Sequence, residues 1–128
     1  MGSIEVINIH QNIPNDGVYI YIGRNKENNV LGNPYTHVKN NGTFFEVYPT
    51  TLAKYIVSDR DASIEHYKTY FEEMYQNNAE FKQRIDEIYD MYSRGAKIYL
   101  GCFCAPKSCH GDIIKKYIEM KYLNLFIK

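Results

Sequence analysis

The chain has 128 residues, 45% of them apolar and 23% charged, which is the composition of one folded domain spanning residues 1–128 with a core of its own. Fifteen Lys and Arg side chains balance fifteen Asp and Glu, so no sequence-wide attraction to nucleic acid or to an anionic membrane is expected. The three cysteines are odd in number and clustered between positions 102 and 109, unlike a secreted disulfide framework. With no secretory leader pattern and no apolar run near the roughly 20 residues of a membrane helix, the expected compartment is the cytoplasm.

In chain order, Ile4-Glu5-Val6-Ile7-Asn8-Ile9 alternates as a strand does. Pro14-Asn15-Asp16-Gly17 is a turn, because Asp-Gly tolerates the positive φ of tight turns. Val18 to Ile22 is a second strand, rich in β-branched and aromatic residues, and Gly23-Arg24-Asn25 ends it. A polar loop leads to Leu31-Gly32-Asn33-Pro34-Tyr35. Asn40-Asn41-Gly42 is another turn, Thr43 to Tyr48 an extended segment, and Thr50 or Thr51 caps a short helix through Ile56. Ile64, Tyr67, Tyr70, Phe71 and Met74 recur at helical spacing, with Asp61 or Ser63 as the N-cap. Asn77-Asn78 interrupts that stripe. Phe81, Ile85, Ile88 and Tyr92 form the next one, closed by Gly95 in the left-handed region. Lys97 to Gly101 reads as a strand, His110 to about Met120 as a helix, and Tyr122 to Ile127 as a terminal strand. The order implies a small single-domain α/β layer fold with a mixed, mostly parallel sheet.

The segment Cys102-Phe103-Cys104-Ala105-Pro106-Lys107-Ser108-Cys109-His110-Gly111 joins a buried strand to a helix start, where α/β proteins usually bind ligands. Three chemistries are open there. An anion or nucleotide site would use the helix N-terminus, the small residues Ala105, Ser108 and Gly111, and charge from Lys107 and His110. A metal site would use Cys102, Cys104, Cys109 and His110, although C-x-C-x4-C-H is not a common zinc spacing. A nucleophile would be Cys109, activated by the helix N-terminus and by His110, with His110 and Asp112 as candidate acid and base. A buried structural loop is the bland alternative, since cysteines pack well as small hydrophobes.

A second cluster follows the second strand. Adjacent parallel strands would bring Gly23-Arg24 beside the cysteine loop, making Arg24 a fork for phosphate or carboxylate. Asn33, held by Leu31-Gly32 and Pro34, could read a base or ribose, or could cap its own turn. Arg60 could join the pocket or belong to a solvated charged turn. Tyr21 and Tyr35 could stack on a base, but in a chain with 13 tyrosines packing is the simpler role.

Tyr21-Ile22-Gly23-Arg24, Leu31-Gly32-Asn33-Pro34-Tyr35 and Cys102-x-Cys104-x-Pro106-x-x-Cys109-His110-Gly111 together resemble an uncharacterised domain family of bacteria and their phages. That family is marked by YIGR…LGNP(F/Y) and CxCxPxxCHG segments, and the resemblance spans about Val18 to Ile118. Phe103 stands where Trp is common in it, and Tyr35 where Phe is common. It implies an identity rather than an activity, a Rossmann-like nucleotide-binding fold by fold-level analogy, and the cytoplasm of a bacterial host if the chain is phage-encoded. The expected function is binding of a nucleotide or nucleotide-derived ligand by Gly23, Arg24, Asn33, Arg60, Cys109, His110 and Gly111. The alternatives are a nucleotide-processing enzyme, by hydrolysis or glycosyl transfer, using His110 and Cys109, and a small zinc-binding structural protein. The expected partner is a phosphate-containing small molecule, with no membrane, no strong nucleic-acid signal and no cofactor motif; P-loop and HExxH patterns are absent.

Overall fold

The computed structural model describes residues 1–10, 12–23, 31–32, 35–36, 55–56, 60–102 and 109–127. In chain order the elements are β1 (Ser3–Asn8), β2 (Val18–Tyr21), β3 (Tyr35–Thr36), β4 (Tyr55–Ile56), α1 (Arg60–Asn77), α2 (Ala79–Ser93), β5 (Lys97–Cys102) and α3 (Gly111–Ile127). The main sheet has the order β1-β5-β2, and both pairings are parallel. A mixed, mostly parallel sheet was expected, and among the described residues every strand pair is parallel, including β3 with β4.

β5 is the middle strand, and its composition follows from that position. Residues Ile98 to Cys102 are all buried, as a strand covered on both faces requires. Ile4 pairs with Ile98, and Val6 and Ile20 both pair with Leu100, so these side chains share one face of the sheet. Tyr67 and Phe71 from α1, Phe81, Ile85, Ile88 and Tyr92 from α2, and Ile114 and Ile118 from α3 join them in one core.

The helix boundaries have local causes. The Asn78 amide N–H reaches the Met74 carbonyl at 2.8 Å and closes α1. Its side-chain oxygen accepts from the Phe81 N–H at 2.9 Å and opens α2. α2 ends at Gly95, whose φ of 98° is the expected left-handed residue. The Ala96 N–H then reaches back to the Met91 carbonyl and the Gly95 N–H to that of Tyr92, the paired bonds of a Schellman motif.

Three expectations change. The terminal strand at 122–127 is instead the end of α3. Ile114, Ile118 and Tyr122 continue one i, i+4 stripe, and Tyr122 meets Tyr92 edge to face at 5.4 Å, so tertiary packing overrides the strand-like alternation. Tyr55 and Ile56, expected to end a short helix, form a strand beside Tyr35 and Thr36; the rest of that expected helix, and Thr43 to Tyr48, lie outside the described residues. α1 starts at Arg60, so Asp61 and Ser63 lie within its first turn rather than at its cap.

The three helices are tied together on their outer side by Asp86. Its carboxylate accepts from the Tyr75 hydroxyl on α1 at 2.6 Å and from Lys82 at 2.8 Å, and lies 3.7 Å from Lys121 on α3. Partial burial raises the Asp86 pKa, but the Lys82 and Tyr75 hydrogen bonds outweigh it and leave the carboxyl below its usual value. A carboxyl depressed in the folded state contributes stability above its unfolded pKa of about 4, and that contribution is lost as pH falls through the lower folded value. Denaturant midpoints of the wild type and Asp86→Asn should therefore differ near neutral pH and converge towards about pH 2; a constant gap would show that the ionised form is not what matters.

Candidate functional site

Parallel strands end on the same edge of a sheet, and here the edge is built from ladder bonds that outlast the strands. The Ile9 N–H donates to the Cys102 carbonyl and the Ile22 N–H to the Gly101 carbonyl, each at 3.0 Å. The ends of β1 and β2 therefore flank the end of β5. Gly23, next after Ile22, is buried, and the Tyr21 phenol occupies the space a Gly23 side chain would need. Tyr21 thus packs over its own turn, the simpler of the two roles expected of it.

A histidine and a tyrosine join the separate segments. His110 Nε2 lies 2.7 Å from the Ile22 carbonyl oxygen. A carbonyl can only accept, so Nε2 carries the hydrogen and, in the neutral ring, Nδ1 carries the lone pair. The His110 ring meets the Tyr67 ring edge to face at 4.8 Å. The Tyr67 hydroxyl donates to the Leu31 carbonyl at 2.8 Å. Three separate segments of the chain therefore converge: Ile22-Gly23, Leu31-Gly32 and Cys109-His110-Gly111. Tyr67 is fully buried and His110 is 9% exposed. Burial, with smaller contributions from Tyr70 and Cys109, raises the Tyr67 phenol well above its usual pKa and keeps it a hydrogen-bond donor.

The start of α3 is capped by its own side chains. Cys109 Sγ accepts from the Gly111 N–H at 3.2 Å, and the Asp112 carboxylate accepts from the Cys109 N–H at 3.1 Å. The Asp112 bond is the return half of a capping box, while the sulfur accepts from the amide two residues on. The Asp112 N–H bonds the Cys109 carbonyl and the Ile113 N–H that of His110. The amides expected to face an anion near Gly111 thus have partners within the chain, and Asp112 is the group at the mouth of the helix. Gly111 is itself a close approach: a side-chain carbon there would lie 2.7 Å from Ile22 Cδ1 and 3.1 Å from Val6 Cγ1. Its missing side chain lets α3 begin directly against the tips of β1 and β2. Asp112→Ala should cost about 1 kcal/mol of stability, the usual worth of a cap, in a urea titration; no loss would mean the carboxylate does not hold the turn.

Among the expected site residues, the fold brings Gly23, Cys109, His110 and Gly111 together. Arg60 opens α1. Arg24, Asn33 and Cys104 lie outside the described residues. Cys102 and Cys109 are both 2% exposed, with sulfurs 3.0 Å apart. Among the described residues, no group of three or more His, Cys, Asp and Glu side chains could hold a metal ion, and the four-ligand set expected from the sequence includes Cys104, which is not described. Among the same residues no helix is long and apolar enough to cross a membrane. Tyr67 is the site residue that sequence reading missed. As a stripe position in a tyrosine-rich chain it carried no signal of a polar role. Cys109-x-x-Asp112 did match the spacing of a capping box, which could have assigned Asp112.

Residues 7–120 match the family model described as Domain of unknown function (DUF4326). No curated protein and no solved structure matches the chain.

Proposed function

The chain belongs to the DUF4326 family, and from that premise we propose that it binds a nucleotide or nucleotide-derived ligand at the carboxyl edge of its parallel sheet. The observation that carries this reading is the convergence of the Ile22-Gly23, Leu31-Gly32 and Cys109-His110-Gly111 segments on the His110–Tyr67 pair. The histidine and tyrosine secure the backbones of two segments at the edge where α/β proteins bind ligands. Each secured backbone leads directly into a polar residue suited to nucleotide recognition: Gly23 into Arg24, and Gly32 into Asn33.

In this reading His110 and Tyr67 position the backbone on either side, and the contacts to ligand come from Arg24, Asn33 and Arg60, with backbone at Gly23. Arg24 carries the phosphate charge, since the first amides of α3 have partners within the chain. A panel of adenine and guanine mono-, di- and triphosphates, with inorganic phosphate alongside, tests it by thermal shift. At least one nucleotide should raise the melting temperature, and Arg24→Ala should remove about 1–3 kcal/mol of that stabilisation. A flat response across the panel would sink the reading.

One observation favours a second reading, a nucleotide-processing enzyme. Cys109 Sγ sits at a helix N-terminus, accepts a backbone N–H and lies 3.8 Å from His110 Nδ1. A helix N-terminus, a backbone donor and a neighbouring imidazole are the contacts that favour a nucleophilic sulfur. Iodoacetamide should then label Cys109 much faster than Cys102 near neutral pH; equal rates would remove the enzyme reading.

A further inference from the structure

We propose that Cys102 and Cys109 form a reversible disulfide, making the end of β5 and the start of α3 a dithiol modification site. No disulfide joins them, and their sulfurs are 3.0 Å apart. A disulfide closes this gap to about 2.05 Å, a shift of about 1 Å within the reach of side-chain rotation. The two residues stand on different elements, the last position of a central strand and the residue two before a helix, so the bond would staple them across residues 103–108.

The surroundings supply the chemistry of the first step. His110 Nε2 is committed to the Ile22 carbonyl, and Nδ1 is the ring nitrogen on the Cys109 side, 3.8 Å from the sulfur. The Gly111 N–H at 3.2 Å and the positive end of the α3 dipole stabilise a Cys109 thiolate. Cys102, at the strand end, has the position of the resolving thiol. Both sulfurs lie under the surface, at 2% exposure, which selects a small uncharged oxidant over a bulky disulfide.

The oxidant class is a hydroperoxide, and the steps balance with hydrogen peroxide. The Cys109 thiolate attacks one peroxide oxygen, the O–O bond breaks, and Cys109 becomes a sulfenic acid as hydroxide leaves. That hydroxide takes the proton released by the Cys109 thiol and becomes water. The Cys102 thiol then attacks the Cys109 sulfur, an S–S bond forms, the S–O bond breaks, and its hydroxyl leaves with the Cys102 proton as a second water. Two thiols are oxidised by two electrons and one peroxide is reduced to two waters. A thiol reductant returns both sulfurs to the reduced state.

The test uses the intact reduced chain, treated with hydrogen peroxide, quenched by alkylation and digested with trypsin and chymotrypsin together. Cleavage after Phe103 and after Lys107 places Cys102, Cys104 and Cys109 on three separate peptides. The expected result is a linked Cys102–Cys109 peptide pair about 2 Da lighter than the sum of its thiol forms, which disappears on treatment with dithiothreitol. In Cys102→Ala the same treatment should leave Cys109 as sulfenic or sulfinic acid. A bond mapped to Cys104, a bond between two chains, or peroxide consumption with Cys102 and Cys109 still alkylated would each overturn the proposal. The wild-type map decides the matter even if Cys102→Ala fails to fold.

Discussion

Tyr67→Ala should lower the free energy of unfolding by about 3–5 kcal/mol, the cost of emptying a fully buried aromatic site. The ring meets Tyr70 at 5.7 Å and His110 at 4.8 Å, and its hydroxyl holds the Leu31 carbonyl, so truncation removes packing and a buried hydrogen bond together. Tyr67→Phe separates the two. It keeps the ring and leaves the Leu31 carbonyl without its donor, for an expected loss of about 1–2 kcal/mol. The informative readout is local. In Tyr67→Phe, amide hydrogen exchange at Leu31 and Gly32 should accelerate more than exchange in β5. Uniform acceleration through the sheet would mean that Tyr67 is a core residue without a special hold on that segment.

His110→Ala is expected to cost about 2–4 kcal/mol. It removes the ring from the edge of Tyr67 and strips the Ile22 carbonyl of its donor in a place where water is scarce. His110→Gln, which can present an N–H of its own, should recover part of the loss. A double-mutant cycle between His110→Ala and Tyr67→Ala should show coupling of at least about 0.5 kcal/mol, since each variant removes one of two rings in contact. If His110→Ala unfolds at the wild-type denaturant midpoint, the ring does not join β2 to α3, and the site loses its organising contact. Because unfolding free energies of domains this size are only about 5–15 kcal/mol, either Ala variant should be studied at low temperature.

The thiol pair and the histidine bear on the same few atoms. Cys109 Sγ is at once an acceptor for the Gly111 amide, a neighbour of His110 Nδ1 and a neighbour of Cys102 Sγ. Oxidation would therefore act where the proposed ligand edge meets α3. The two ideas remain separable: the disulfide map needs no nucleotide, and the nucleotide panel is run on the reduced protein.

Much of the architecture was legible in residue patterns. Continuous burial of β5 was written in Ile98 to Cys102, the α2 stripe in Phe81, Ile85, Ile88 and Tyr92, and the α2 boundaries in Asn78 and Gly95. Each follows from a local rule of periodicity or capping that needs no partner from elsewhere in the chain. The end of α3 was not legible, because Tyr122 to Ile127 alternates like a strand and becomes helical through its continuity with Ile114 and Ile118 and through the Tyr92 contact. The part played by Tyr67 was hidden for a similar reason: one tyrosine in a helical stripe looks like any other until Leu31 and His110 arrive beside it.

From its residues alone this chain declares an α/β layering, a strand–loop–helix junction rich in sulfur, and the polar groups gathered around it. Those properties depend on neighbours along the chain, and short-range sterics and hydrogen bonding decide them. Only the folded sheet decides that His110 spends Nε2–H on Ile22, that Asp112 and Cys109 take up the first bonds of α3, and that two sulfurs seven positions apart meet at 3.0 Å. Such pairings depend on strand order and on where a helix axis comes to rest against the sheet, and these are set by the sum of the core contacts rather than by any local pattern.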